Sequence, residues 1–471
     1  MKLTYNIQDK PKFGSLLVFA FQQLLAILAA TIVVPMIVNG NTAELGEGFA
    51  SNMSQSAALF GAGIGTIVYL LFTKFKSPVF LGSSFAFLGS MAAAFAGGIA
   101  ASRGYLGLII GAVMAGLVYV VIAIIVKFAG VKWINKLMPA VVIGPTVSII
   151  GLSLSVNAVK DAVDATSGTT VFDPALSAYT MNTHAWVYFI CALVTLFVVI
   201  ICSVFGKKMM KLIPFVIGIV AGYLVALIFT LIGMKTGNDV LKVIDFSGFS
   251  NMQWYPDFTF LQIKDGFKLL NAKYIATLAV AYIPVAFVVF AEHIADHKNL
   301  SSIIGKDLLE EPGLHRTLLG DGIGSMVGAV FGGCPNTTYG ESIGCVAITG
   351  NASVVTILAT AILAIVASFF APFVTFLATI PSCVMGGVCI TLYGFIAVSG
   401  LKMIQKVNLD ENKNLFVVSV ILIAGVGGLA LGINGIKLTS IACALILGII
   451  TNLIVSKKKD DVNEDVKEDA E

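Results

Sequence analysis

The sequence predicts an all-α polytopic membrane protein of about fourteen transmembrane helices, arranged as two inverted seven-span repeats. Three observations carry this prediction: an apolar content too large for a soluble core, lysines that alternate from loop to loop, and an internal repeat linking the two halves. Of the 471 residues, 58% are hydrophobic and 12% charged, where an ordinary soluble domain carries roughly a quarter charged residues. Runs such as Tyr105 to Val126, Ala185 to Phe205 and Val355 to Phe376 are each about 20 residues long, the length a helix needs to cross ~30 Å of hydrocarbon. Leu16 to Val38 exceeds a signal-peptide core and lacks a small-residue cleavage site, so it is expected to remain as the first helix.

Apolar runs between polar breaks give fourteen spans, with centres from Ile27 to Leu445. The third, ninth and tenth are weak in hydropathy because they are rich in Gly, Ser and Thr. Positive charge near span ends is retained on the cytoplasmic side. Lysines collect at Lys2, Lys10 and Lys12, then at Lys74 and Lys76, at Lys207, Lys208 and Lys211, and at Lys402 and Lys406, each cluster following an even number of spans. Both termini are therefore expected in the cytoplasm of a multi-pass cell-membrane protein. The tail, 457–471, is charged without apolar periodicity and reads as a disordered cytoplasmic end.

Other function classes recede on the same composition. The net charge of +3 is spread over short loops and forms no continuous basic face, which argues against nucleic-acid binding. Seven cysteines fall mostly inside apolar runs without CxxC spacing, so neither a metal site nor a disulfide framework is expected. No HExxH or GxSxG motif accompanies the acidic residues. An enzyme is not expected, nor a cofactor.

The repeat is read from two pairs of segments. Met138-Pro-Ala-Val-Val-Ile-Gly-Pro145 in span five recurs as Ile380-Pro-Ser-Cys-Val-Met-Gly-Gly387 in span twelve, with Pro, Val and Gly in the same relative positions. An odd number of spans per unit turns the second copy upside down, the inverted arrangement of many secondary transporters. Spans three and ten also correspond, opening with Pro78-Val-Phe-Leu-Gly-Ser-Ser-Phe85 and Pro335-Asn-Thr-Thr-Tyr-Gly-Glu341. Such stretches form poor continuous helix, and irregular backbone at membrane depth is tolerated only where protein or a cavity satisfies it. Paired interrupted spans point to a substrate site.

The intramembrane charges agree with that placement. Span eight ends in Ala291-Glu-His-Ile-Ala-Asp-His297, which puts Glu292 and Asp296 one helical turn apart. A carboxylate this close to hydrocarbon should face protein or a cavity. Glu292, the deepest of the group, reads as functional; Asp296 and His297 read either as part of a proton-handling site or as a cap snorkelling toward Lys298. Glu341 lies in the interrupted tenth span, and no basic residue occurs between Phe331 and Ala352 to pair with it. Two acceptor carboxylates, free backbone N–H groups and an aromatic face from Phe85 or Tyr339 suit a flat ligand with alternating N–H and C=O groups, such as uracil. Nearby carboxylates also resist joint ionisation, which offers a route to proton coupling.

At these residues the chain resembles a known family. Ala291-Glu292-His293, Asp307-Leu308-Leu309, Pro312-Gly-Leu-His-Arg316, Pro335 to Glu341 and Leu81-Gly-Ser-Ser-Phe-Ala-Phe87 are similar to signature segments of bacterial uracil permeases in the nucleobase–ascorbate transporter family. The likeness spans nearly the whole chain. Ser342 stands where the family signature has Asn, Asp296 where some members have His, and Gln22-Gln23 where Gln-His is frequent.

The resemblance implies short strands in spans three and ten, with the ligand between them. It implies a core domain (1–130 and 266–378) moving against a gate domain (131–265 and 379–456). By matched position Glu292 and Glu341 would bind the base through side chains and Gly340 and Phe85 through backbone, with Tyr339 and Ala30 lining the pocket. Glu292, Asp296 and His297 are the candidates for proton coupling. The implied activity is uracil import by proton symport through alternating access, as a homodimer in the lipid bilayer with a co-transported proton and no cofactor. A xanthine or urate symporter is the nearest rival. An anion exchanger on the same architecture is another, although it would favour a basic residue at the tenth span, where Glu341 stands.

Overall fold

A computed structural model describes residues 3–456 except 131–138, 164–169, 175, 182–185, 208 and 434–435. The charged tail expected at 457–471 lies outside the described residues. The helices follow the expected order of spans: α1 (Phe13–Thr42), α2 (Gln55–Phe72), α3 (Leu88–Ala94), α4 (Ala101–Ala129), α5 (Ala140–Ala162), α6 (Trp186–Phe205) and α7 (Pro214–Thr236) form the first half. The second half holds α8 (Ala272–Ile304), α9 (Leu314–Gly332), α10 (Gly340–Thr349), α11 (Val354–Ser368), α12 (Ala371–Ala378), α13 (Ser382–Ile404), α14 (Asn412–Val426) and α15 (Ser440–Val455).

Among the described residues, eight helices are long and apolar enough to cross a membrane alone. The other spans are short, glycine-rich or broken; of these, spans three, nine and ten are also weak in hydropathy. Two of these, spans three and ten, are half-helices preceded by strands, β1 (Leu81–Ser83) before α3 and β4 (Asn336–Thr338) before α10, while β2 (Thr170–Asp173) and β3 (Ala178–Met181) pair with each other between α5 and α6. The apolar run Val355 to Phe376 departs from the expected single straight span. It bends by 81° between α11 and α12, where Pro372 sits in the first turn of α12; proline tolerates that position but cannot continue a preceding helix.

Inverted symmetry shows in the packing. On the symmetry axis, corresponding elements meet each other: α2 against α9, α5 against α13, and β1 paired antiparallel with β4. Away from it, contacts come in mirrored pairs. α4 packs on α8 and α9 as α11 packs on α1 and α2; α6 packs on α7 and α13 as α14 packs on α15 and α5. Two seven-span units related by a pseudo-twofold axis produce this pattern, and unrelated halves would not.

The α2–α9 seam explains how β4 is placed. Gly61 and Gly65 on α2 face Gly324, Gly328 and Gly332 on α9 at four-residue spacing. A Cβ added at Gly61 would lie 2.6 Å from the Gly328 carbonyl oxygen, and one at Gly324 would lie 2.7 Å from that of Gly65. Small residues allow such close approach in membranes, where helix association depends on van der Waals contact and interhelical hydrogen bonds. The notch they leave is filled by Asn336, whose Nδ2 donates to the Gly61 carbonyl at 2.8 Å. Leu81 N–H donates to Thr66 Oγ1 at 2.9 Å, so β1 is anchored to α2 as well.

Candidate functional site

β1 and β4 pair in the register Leu81↔Thr338, Gly82↔Thr337 and Ser83↔Asn336, and each strand then leads into a half-helix. Both half-helices therefore begin beside the strand pair, in the interior of the protein. The first N–H groups of a helix have no intrahelical acceptor, and the helix dipole places partial positive charge there. Two such ends facing one space form a donor-rich site for carbonyl oxygens or anions. Gly82 has no side chain because the Tyr339 ring lies against it, and Tyr339 Oη donates to the Ser83 carbonyl at 2.9 Å.

A cavity of about 390 Å³ opens at this point, within the ~300–1,000 Å³ range of small-molecule sites. Glu292 and Asp296 reach it from α8, Phe85 from the turn after β1, and Tyr339, Gly340 and Glu341 from the start of α10. Six of the eight site residues expected from the sequence thus converge on one space. Glu292 is exposed to it, while Asp296 and Glu341 are half-buried. Asp296 Oδ2 accepts from Thr338 Oγ1 at 2.5 Å, which ties span eight to β4. Asp296 therefore faces the cavity and not the surface, contrary to the capping alternative.

Two expected site residues lie elsewhere. Ala30, 2% exposed, is packed in the core of α1 and is not among the cavity-lining residues. His297 lies off the cavity as well, because Glu292 and Asp296 occupy the face of α8 turned toward it. The His297 ring stacks on His293 at 4.0 Å and accepts from Tyr69 Oη through Nε2 at 2.7 Å. His293 in turn pairs with Asp321, Nδ1 to Oδ2, at 2.6 Å, with both side chains essentially inaccessible. A buried aspartate in glycine-rich span nine was legible as an intramembrane charge, although the sequence reading did not single it out.

Residues without a sequence signal complete the cavity. Val147 and Ile150 of α5, Phe215 of α7, and Leu392, Phe395 and Ile396 of α13 form an apolar wall opposite the carboxylates. Nothing in an apolar helix distinguishes such positions from lipid-facing ones. A second cavity of about 150 Å³ shares Glu341 and Phe215 with the first and is lined by Lys211. The absence of a basic residue near Glu341 thus holds along the chain but not in space. Two of the departures from the family pattern also touch each other, since Gln23 Nε2 donates to Ser342 Oγ. That bond joins α1 to the first turn of α10.

Comparison with known proteins agrees with this architecture. The Permease family profile matches residues 14–433. The uracil permease of Bacillus caldolyticus is 38% identical over 460 residues, covering 96% of this chain and 95% of that protein. The uracil permease of Escherichia coli K12 is 32% identical over 451 residues, covering 95% and 93% respectively. Among solved structures, the transmembrane domain of a cyanobacterial bicarbonate transporter, BicA, superimposes with a TM-score of 0.60 at 18% identity, covering 95% of this chain and all of that one. The inward-facing murine anion transporter Slc26a9 gives 0.61 at 11% identity, covering 95% and 69%. The structural likeness carries the fold alone; the matched length and identity carry more, and the chain belongs to the permease family that includes the bacterial uracil permeases.

Proposed function

We propose that this chain imports uracil with a proton by alternating access. The observation that carries the reading is the convergence of Glu292 and Glu341 on one cavity at the N-terminal end of a half-helix. Uracil offers ring N–H groups beside C=O groups. A carboxylate accepts from the former and backbone N–H groups at a helix start donate to the latter, leaving few polar atoms unpaired. The uracil permeases to which the chain is similar support the same substrate. Three carboxylates, Glu292, Asp296 and Glu341, also share this space, and their mutual repulsion as anions favours uptake of a proton by one of them. Which one binds it is the coupling question.

The moving parts we infer are 1–130 with 266–378 as a core that carries the carboxylates, and 131–265 with 379–456 as a gate that supplies the apolar wall. The cavity is bounded by Phe215 and Met403, close in sequence to the lysine clusters Lys207 to Lys211 and Lys402 to Lys406. With those clusters taken as cytoplasmic, we infer an inward-facing state with both termini in the cytoplasm. Lipid covers the exposed apolar faces, and a homodimer formed through the gate is the assembly we infer.

The second reading is anion exchange, favoured by the solved structures that share the fold. Acidic side chains around the cavity oppose it, because an anion would enter against their charge. Purified protein in proteoliposomes should accumulate radiolabelled uracil when the lumen is made alkaline, without sodium. Uptake that needs sodium and ignores the pH gradient would reassign the coupling ion, and competition by xanthine or urate but not uracil would reassign the substrate.

A further inference from the structure

α10 is short and packed on one side only. It is ten residues long, with Ser342, Ile343, Cys345 and Val346 buried, while Gly340 and Gly344 face open space; its helical neighbours are α1, α8 and the turn at Met209–Leu212. Its last carbonyls, which the helix itself cannot satisfy, are taken up by the start of the chain. Gly350 O accepts from Thr4 N–H at 2.8 Å and Tyr5 N–H at 3.2 Å, and Thr349 O accepts from Thr4 Oγ1 at 3.3 Å.

Pairing continues past the helix end. Tyr5 forms a parallel bridge with Asn351, Ala352 N–H donates to Tyr5 O at 2.9 Å and Val354 N–H to Ile7 O at 3.0 Å, and Ser353 Oγ donates to Asp9 O at 2.6 Å. Ile7 is buried in the main hydrophobic core, and the Tyr5 ring meets Phe19 edge-on at 5.9 Å. Gly350 has φ +68°, and a Cβ there would sit 3.0 Å from Thr4 Oγ1, so the glycine both ends the helix and admits the segment.

We propose that residues 3–9 are a positioning strap. Docked on 349–354, they fix the C-terminal end of α10 and so keep Glu341, at the other end, aimed into the cavity. Ten helical residues span about 15 Å, so a tilt of about 4° moves one end by about 1 Å relative to the other, enough to misalign a hydrogen bond to a small rigid ligand. Span three has no such need, because side chains of α4 and α8 cap its half-helix.

The test uses full-length protein and two readouts, of which only the second rests on the uracil reading. Ile7→Asp unseats the strap from the core, whereas Tyr5→Phe preserves it. Hydrogen exchange of 340–349 should rise about tenfold in Ile7→Asp, with α2 and α9 unchanged and Tyr5→Phe matching the parent protein. Uracil Kd, by calorimetry, should rise about five- to tenfold in the same variant. Unchanged exchange at 340–349, exchange raised equally in α2 and α9, or raised exchange with an unchanged Kd would each overturn the strap as a positioning element. If the parent protein fails to bind uracil, the proposed substrate falls, and the exchange measurement still decides whether the segment holds α10.

Discussion

The two half-helices occupy mirrored places in the fold but carry different chemistry. α3 begins after Ser83-Ser84-Phe85 with no charge, while α10 begins with Gly340-Glu341. Their far ends differ too. Ala94 O accepts from Tyr274 Oη at 2.6 Å and Ala96 O from Arg103 Nη2 at 3.2 Å, and the Arg103 guanidinium lies 4.4 Å from the Tyr274 ring centroid. A cation at a helix C-terminus is favourable. α10 receives neutral backbone donors from the N-terminal segment instead. Both copies therefore keep the backbone that creates a donor-rich pocket, while the side chains they bring to it differ: span three brings the uncharged Phe85 and span ten the carboxyl of Glu341.

The sharpest way to break this comparison is to weaken each side in turn. Glu341→Gln removes a charged acceptor and leaves ligand N–H groups poorly paired, a loss of about 2–3 kcal/mol, or roughly 100-fold in uracil Kd. Phe85→Leu keeps the backbone N–H and loses only aromatic contact, about 1 kcal/mol or roughly fivefold. Calorimetry on both variants measures the ratio. Equal losses would mean that the two copies share recognition evenly.

A second asymmetry concerns support. A Cβ at Gly328 would collide with the Asn336 side chain, whereas one at Gly89 on α3 would meet nothing within 4 Å. Gly328→Ala must therefore push Asn336 from its notch, break its bond to Gly61 and shift β4, with a cost of about 1–3 kcal/mol. Gly89→Ala should be neutral. Thermal unfolding in detergent checks both, and a harmless Gly328→Ala would remove Asn336 as the anchor of span ten.

Much of this was legible in sequence, for a physical reason. Hydrocarbon punishes unpaired backbone and charge, so the polar breaks at Pro78 and Pro335 and the carboxylates Glu292 and Glu341 stand out against an apolar background. The glycine seam was readable as four-residue spacing at Gly61 and Gly65 and again at Gly324 and Gly328, a signal that the composition-based reading of span nine passed over. Leu392 and Phe395 could not be assigned, because a wall residue and a lipid-facing residue obey the same apolar rule. The contact of Lys211 with the space beside Glu341 and the docking of Ile7 arise from chain folding over hundreds of residues, and local pattern does not encode them.

The smallest expected effect tests how the approach to β1 is held. Lys76, just before span three, donates to Glu311 Oε1 at 2.6 Å, and Lys306 reaches Oε2 at 2.7 Å, with all three side chains about half-exposed. Hydrogen bonds and charge from Lys306 and Lys76 hold the Glu311 carboxyl down at about 2. A carboxylate lowered in the folded state contributes stability in full above its ordinary value of about 4.3 and loses it as pH falls toward 2. Unfolding midpoints should consequently be flat from pH 5 to 8 with respect to this group, and Glu311→Gln should lower them only slightly there, since exposed ion pairs are weak and screened by salt. If Glu311→Gln instead destabilises the protein at neutral pH as much as Gly328→Ala does, then a surface ion pair anchors span three as firmly as a buried asparagine anchors span ten, and the two copies are equal in support even though they differ in charge.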